Sequence, residues 1–400
     1  MVAFACRPGG TSETGAGWAF VRAATMLGHE VTLITQPRHL QTIQRERRKD
    51  PRLEERLSVH PVGLPSGFMD KWERHGRLRG LQLYNLGWQW AVGRLARRLH
   101  TVTPFDLGHH VTLSTDWIPS GLATVPGLPV VWGPLGGGER VPEPCRVYLG
   151  PKGQRTERAR GLFTRPLRRL ADRSAGHCAL LVAQNPEEGT RLSALGVPVH
   201  VRPNVFLSEE CFSGFARTSP ATTRSRPRAV FAGRLLAWKG VHLALATMTA
   251  AEDWELVIYG DGPERARLAD SIRRLGLSER VTLMGQRPRA EVRQAMVDAD
   301  VFFFPSMREA AGWVVAEALA VGCPVVCLNT GGPPLLVGTS GCIIDPGPGL
   351  PERLAGALAA AAGLPREQVR WDEQGLPALV SAWYARAAGR DGVQVQNEAL

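Results

Sequence analysis

The sequence predicts an α/β protein with two domains, each built on a parallel sheet. Three observations carry this. The 400 residues suffice for two or three domains with ample core. From Ala229 onward, short apolar strand patterns alternate with helix patterns every 20 to 30 residues, which argues a parallel sheet covered on both faces. Near the start, an apolar strand runs into a glycine-rich turn and then a helix.

That first turn, Arg7 to Gly17, contains Gly15 and Gly17 and precedes a helix expected to begin near Trp18. A strand, a glycine-rich turn and a helix allow close approach to a phosphate, although the spacing is not that of the dinucleotide fingerprint. Gly28 to Leu33 reads as helix end and second strand. Residues 36–100 carry charged runs and the aromatics Trp72, Tyr84, Trp88 and Trp90, which could stack on a sugar or pack helices. Phe105 to Thr112 reads as a strand holding His109 and His110, and Pro129 to Trp132 as a strand ending in Gly136-Gly137-Gly138. Three glycines in a row permit backbone conformations closed to other residues.

Lys152 to Arg173 alternates arginines with Leu162, Phe163, Leu167 and Leu170, a basic amphipathic helix. Such a helix either rests on the core with a solvated face or associates weakly with a membrane surface. Residues 207–228, rich in Ser, Thr, Pro and Arg, read as a linker between domains at 1–206 and 229–377. In the second domain Arg234 and Lys239 follow the first strand, where cations can reach a pyrophosphate at the sheet's carboxyl edge.

The stretch Phe302 to Leu319 organises the rest. An apolar run ends at Pro305, a polar turn follows, and helix formers resume. Glu309 and Glu317 stand eight residues apart. On one continuous helix they would be roughly 12 Å apart, too far to share one proton but suited to two ends of a long ligand. The amides of Ala311, Gly312 and Trp313 would open a helix N-terminus, an anion site.

This stretch resembles the Glu-x7-Glu motif of the GT-B glycosyltransferases, specifically the retaining glycosyltransferase family 4. The likeness continues in Gly233-Arg234-Leu235 with Lys239-Gly240, Tyr259 to Glu264, Ala320 to Val326 and Thr330 to Pro333. These segments come in family order over about residues 229–340. The resemblance implies two Rossmann-like domains facing each other across a cleft, with a last helix (378–400) crossing back onto the first. It implies a nucleotide-sugar donor, such as a UDP- or GDP-sugar, as substrate, with no cofactor and no metal. Arg234 and Lys239 would meet the diphosphate, Glu317 the ribose and Glu309 the donor sugar. Gly15 and Gly17 would face the donor phosphates, Gln286 would lie where backbone meets the nucleobase, and His110 would lie beside the donor sugar. Two departures touch the sugar side: Ala310-Ala311 replaces the usual Gly-Phe, and Leu335 stands where an acid is common.

Bulk properties narrow the alternatives. Hydrophobic content of 44% and charge of 21% are those of a globular protein. No apolar run approaches the ~18 residues that span a bilayer, and the N-terminus lacks the pattern of a signal peptide. Seven cysteines without paired metal spacing suggest reduced thiols and a cytoplasmic location. The net charge of +11 is spread over both halves with no aromatic-basic recognition motif, which argues against nucleic acid as partner. Of 48 basic residues only those at 49, 71, 152 and 239 are lysines, so a lysine at the phosphate position stands out. The expectation is a retaining, metal-independent hexosyltransferase acting on a small hydroxylated acceptor, such as an antibiotic precursor. A nucleotide-sugar epimerase, a phosphorylase, a transferase acting on lipid acceptors and a non-catalytic sugar-nucleotide or nucleic-acid binding protein are the rivals. The sequence does not fix the oligomeric state.

Overall fold

The computed structural model describes residues 1–10, 12–64, 81–215 and 225–389. The chain divides into two compact units. Among the described residues, one holds 1–138, 162–206 and 373–389; the other holds 139–161 and 207–372.

The first unit has a seven-stranded parallel sheet. Its strands are β1 (Val2–Ala3), β2 (Val31–Thr35), β3 (Leu57–Pro61), β4 (Gly108–Thr112), β5 (Val130–Leu135), β6 (Leu180–Ala183) and β7 (Val199–Val201), in the order β3-β2-β1-β4-β5-β6-β7. Every residue of β4, β5 and β6 is buried; β5 and β6 accordingly read as near-continuous apolar runs, while β4 buries His109 and His110. Aromatics fill the space between sheet and helices. Phe4 meets Trp88 edge-on at 5.0 Å, and Phe20 meets Phe206 at 5.2 Å. The Trp88 indole donates to the Val62 carbonyl (2.8 Å), and the Leu64 amide donates to the Tyr84 hydroxyl (3.1 Å). These two aromatics therefore pack a helix (Leu81–Val102) rather than wait for a sugar. Trp90 is 66% exposed beneath Arg94, and Trp72 lies outside the described residues. The last helix, Leu376–Ala387, belongs to this unit. Its Trp383 indole donates to His200 (2.9 Å), and the Tyr384 hydroxyl bonds His109 (3.0 Å).

The second unit has a six-stranded parallel sheet. Its strands are β8 (Arg228–Ala232), β9 (Glu255–Tyr259), β10 (Val281–Gly285), β11 (Val301–Phe304), β12 (Val325–Leu328) and β13 (Gly341–Ile344), in the order β10-β9-β8-β11-β12-β13. The order reverses between β8 and β11: β8 leads outward to β9, and β11 leads the other way to β12.

Two expected boundaries shift. The start of the expected linker is not free chain. Leu207, Cys211 and Phe212 are buried, and the Leu207 amide donates to the Trp371 carbonyl (2.8 Å). Residues 139–161 join the second unit although they precede it by many residues. Their polar groups find partners there: Glu157 pairs with Arg308, and the Gly150 backbone lies against the Arg267 guanidinium. The helix Gly150–Ala175 turns both its acids inward, Glu157 to Arg308 and Asp172 to Arg191. Leu162, Phe163 and Leu170 stay exposed among arginines. Among the described residues no helix is long and apolar enough to cross a membrane.

Candidate functional site

A strand-order reversal leaves a crevice at the carboxyl edge, because the loops on either side lead away from each other. In the second unit the loops meeting there are Gly233–Gly240 after β8 and Pro305–Gly312 after β11. Gly240 makes their contact: its φ is +77°, and a side chain there would fall on the Pro305 carbonyl. The Met307 amide donates to the Trp238 carbonyl (2.9 Å), tying one loop to the other. From the far side, the loop after β12 supports the same stretch. Thr330 Oγ1 donates to the Ser306 carbonyl (3.2 Å) and the Gly332 amide to the Glu309 carbonyl (3.1 Å). Gly331, with φ +64°, leaves room for that Glu309 carbonyl.

The charged groups converge on this crevice. The Lys239 ammonium pairs with the Glu309 carboxylate and stands 5.5 Å above the Phe304 ring. Only 21% of the lysine side chain and 16% of the glutamate side chain are exposed. The resemblance sets these two residues against different parts of a ligand; the structure pairs them with each other. Arg234 is exposed on the β8 loop, and Gln286 is exposed just beyond β10.

The Glu309 to Glu317 stretch is not one helix. The helix begins at Trp313, with Gly312 at its N-cap in a left-handed conformation (φ +91°), so Glu309 lies in the loop ahead of it. Ala311 and Gly312 are buried and Trp313 half-buried. No side chain caps this helix start. Glu317 is largely buried, 3.4 Å from Arg289. Burial pushes its carboxyl above the usual range, and Arg289 and Arg293 oppose that push.

The first-unit candidates look different. The first helix spans Glu13–Met26, so Gly15 and Gly17 lie within it and not in a loop. They serve close packing: side chains at 15 and 17 would strike the Gly10 and Ala5 carbonyls. At the start of the same helix, Glu13 accepts the Leu113 amide (3.1 Å). Burial raises its carboxyl pKa, while the bonds from Leu113 and Asn204 oppose this. His110 is 1% exposed and stacks on Trp132. Its Nδ1 bonds Ser120 Oγ (3.1 Å), and its Nε2 lies 3.2 Å from both the Thr112 carbonyl and Gln89. Both ring nitrogens of His110 are thus engaged in the interior. Gly138 of the triple-glycine turn likewise abuts Asp116 and Glu188, which form a buried ion cluster with Arg168 and Arg191.

Sequence reasoning missed Arg308, Trp238 and Glu157. Arg308 lies over the Trp238 ring at 4.5 Å and donates to Glu157, 151 positions earlier in the chain. No spacing rule relates residues so far apart.

Two units, each with a parallel sheet covered by helices, match the GT-B fold. Solved structures with the same fold span nearly the whole chain. The Anabaena Alr3699/HepE structure in complex with UDP and glucose covers 97% of this chain and 98% of that one, at 19% identity and a TM-score of 0.56. Sucrose-phosphate synthase from Thermosynechococcus elongatus covers 97% and 94%, at 17% identity and a TM-score of 0.58. Residues 215–376 match the family described as glycosyl transferases group 1. Curated relatives include the 2-deoxystreptamine glucosyltransferase of Streptomyces kanamyceticus, 32% identical over 106 residues (26% of this chain, 27% of that protein). The GDP-mannose-dependent alpha-mannosyltransferase of Mycobacterium tuberculosis is 32% identical over 182 residues (44% of each). The chain spans between 27% and 51% of the length of such relatives.

Proposed function

We propose that the chain is a retaining glycosyltransferase that takes a sugar from a nucleotide-sugar and passes it to a small hydroxylated acceptor. The observation that carries the reading is the meeting of Lys239 and Glu309 at the strand-order reversal, beside an uncapped helix start. A diphosphate entering this crevice would draw the ammonium from Glu309, leaving the carboxylate to accept hydrogen bonds from sugar hydroxyls. Arg234 and the Ala311–Trp313 amides would add positive potential where the leaving diphosphate gains charge. With protein cations in that role, the reading requires no metal ion. The acceptor hydroxyl would give its proton to the departing phosphate oxygen on the same face, so no protein base is needed. The 2-deoxystreptamine glucosyltransferase supports a small aminocyclitol-like acceptor, as an antibiotic pathway would use. The exposed basic and apolar face of helix Gly150–Ala175 supports weak attachment to an anionic membrane surface as a second feature.

A thermal-shift panel of UDP-, GDP- and TDP-sugars tests the donor. A true donor stabilises by roughly 2.7 kcal/mol at a hundredfold over its dissociation constant. No shift with any nucleotide or nucleotide-sugar would sink the reading. Mass spectrometry with candidate acceptors separates the rivals: an epimerase converts the donor alone, and a phosphorylase needs only inorganic phosphate. NMR of the new anomeric centre then shows retention or inversion.

Glu317→Gln tests the ribose assignment. A charged acceptor becomes neutral, so nucleoside diphosphate affinity should fall by about 1–3 kcal/mol. Isothermal titration that finds unchanged affinity in the folded variant removes Glu317 from the site.

A further inference from the structure

We infer that Arg308 is a positioning residue that holds the Lys239 and Glu309 segments in register, through a partly buried chain of ion pairs reaching Glu157 and Arg160. The inference rests on the glycosyltransferase reading for its catalytic consequence, but not for its structural one.

Arg308 immediately precedes Glu309, and Trp238 immediately precedes Lys239. The Arg308 guanidinium lies over the Trp238 ring at 4.5 Å, so one side chain spans the two segments that carry the ion pair. Its NH1 donates to Glu157 Oε2. The other Glu157 oxygen accepts from Arg160 NH2 (2.9 Å), which also donates to the Glu139 carbonyl. Exposure of the three charged side chains is 15% for Arg308, 16% for Glu157 and 24% for Arg160.

Such a chain is a poor device for stability, because desolvating buried charges offsets most of their attraction. It is a good device for geometry. The planar guanidinium stacks on a ring and bonds in one plane, fixing direction as well as distance. The site needs that fixity. Lys239 and Glu309 neutralise each other, and a diphosphate must separate them. If their segments moved apart with the side chains, the ammonium would follow the phosphate at the expense of the carboxylate's aim. A guanidinium bound to both segments lets the two side chains exchange partners while the backbone stays.

The test uses the full chain and the scarcity of lysine, which occurs only at 49, 71, 152 and 239. Reductive methylation with a carbon-13 label gives each lysine its own NMR signal, and Lys239→Arg assigns the one of interest. In Arg308→Met, and in Glu157→Gln as the milder variant should the first fail to fold, the Lys239 signal should move while the other three stay. With an active donor and acceptor, kcat should fall about 10- to 100-fold, the scale of a misplacement of roughly 1 Å. The donor KM should change less, and Arg308→Lys should restore part of the loss. An unmoved Lys239 signal in a folded variant overturns the inference whatever kcat does. If the wild-type protein binds no nucleotide-sugar, the functional reading falls and the NMR signal still decides the structural one.

Discussion

Lys239→Ala should lower kcat by about 10²- to 10³-fold, the usual cost of removing one preorganised group that stabilises transition-state charge. The donor's diphosphate already carries charge and gains more as the glycosidic bond breaks. A fixed cation beside it therefore stabilises the transition state beyond the ground state, which raises turnover more than affinity. The structure sharpens this in one respect. The ammonium pairs with Glu309 above the Phe304 ring, so a donor diphosphate bound by Lys239 would compete with that carboxylate. Removing Lys239 abolishes that competition along with the catalytic contact. The donor KM should consequently rise little, or even fall, while kcat collapses. Folding stability should change modestly, because a partly exposed pair is worth about 0–1 kcal/mol. Steady-state kinetics on the folded variant decide the matter. A kcat near the wild-type value would make Lys239 a bystander, and a large rise in KM with kcat intact would make it a plain binding group.

Much of the second unit was legible because its site is written in contiguous stretches. Arg228 to Gly240 and Val301 to Gly332 each carry a strand, a turn and the residues that line it, so local chemistry named them. What local chemistry could not show is that Gly240 and Gly331 are needed for loop-on-loop contact rather than for a ligand, or that Lys239 would find Glu309. Both facts depend on strands distant in sequence lying side by side. The first unit was harder for the same reason. Gly15 and Gly17 look like loop residues, since glycine inside a helix costs about 1 kcal/mol each. The helix keeps them because it passes so close to Ala5 and Gly10 that no side chain fits. Tertiary contact overrides propensity there. The family resemblance sets His110 beside the donor sugar, whereas its partners here, Ser120, Gln89 and Trp132, come from three other segments. Arg308 shows the limit most plainly: it lay inside the motif that organised the reading, and its meaning depends on Glu157.

The buried histidines predict that the first unit is acid-labile. Burial lowers the pKa of His109 from 6.5 to about 3, with the bond to the Gly133 carbonyl opposing, and that of His110 to about 4. His39 is lowered to about 4 by burial and by Arg38 and Arg7. For a base with a depressed folded pKa, the unfolded chain binds a proton that the native state refuses. Stability from these groups is therefore full above pH 6.5 and is lost as the pH falls toward 4 and 3. Each group takes about 1.4 kcal/mol per pH unit within that window. At pH 5 the loss is about 2 kcal/mol per histidine, or about 6 for the three, against a typical total of 5–15. The raised carboxyl of Glu13 works the other way, while the buried N-terminal amine and His200, both lowered by burial, add to the loss, so about 6 kcal/mol is the share of the three histidines alone. Urea denaturation followed by tryptophan fluorescence should show the midpoint dropping steeply from pH 7.5 to 5. His110→Gln keeps a polar side chain against Ser120 but cannot titrate, so its midpoint should depend less on pH by close to one proton. A flat midpoint over that range in the wild-type protein would mean that these rings already share a proton or meet water, and the burial argument would fail.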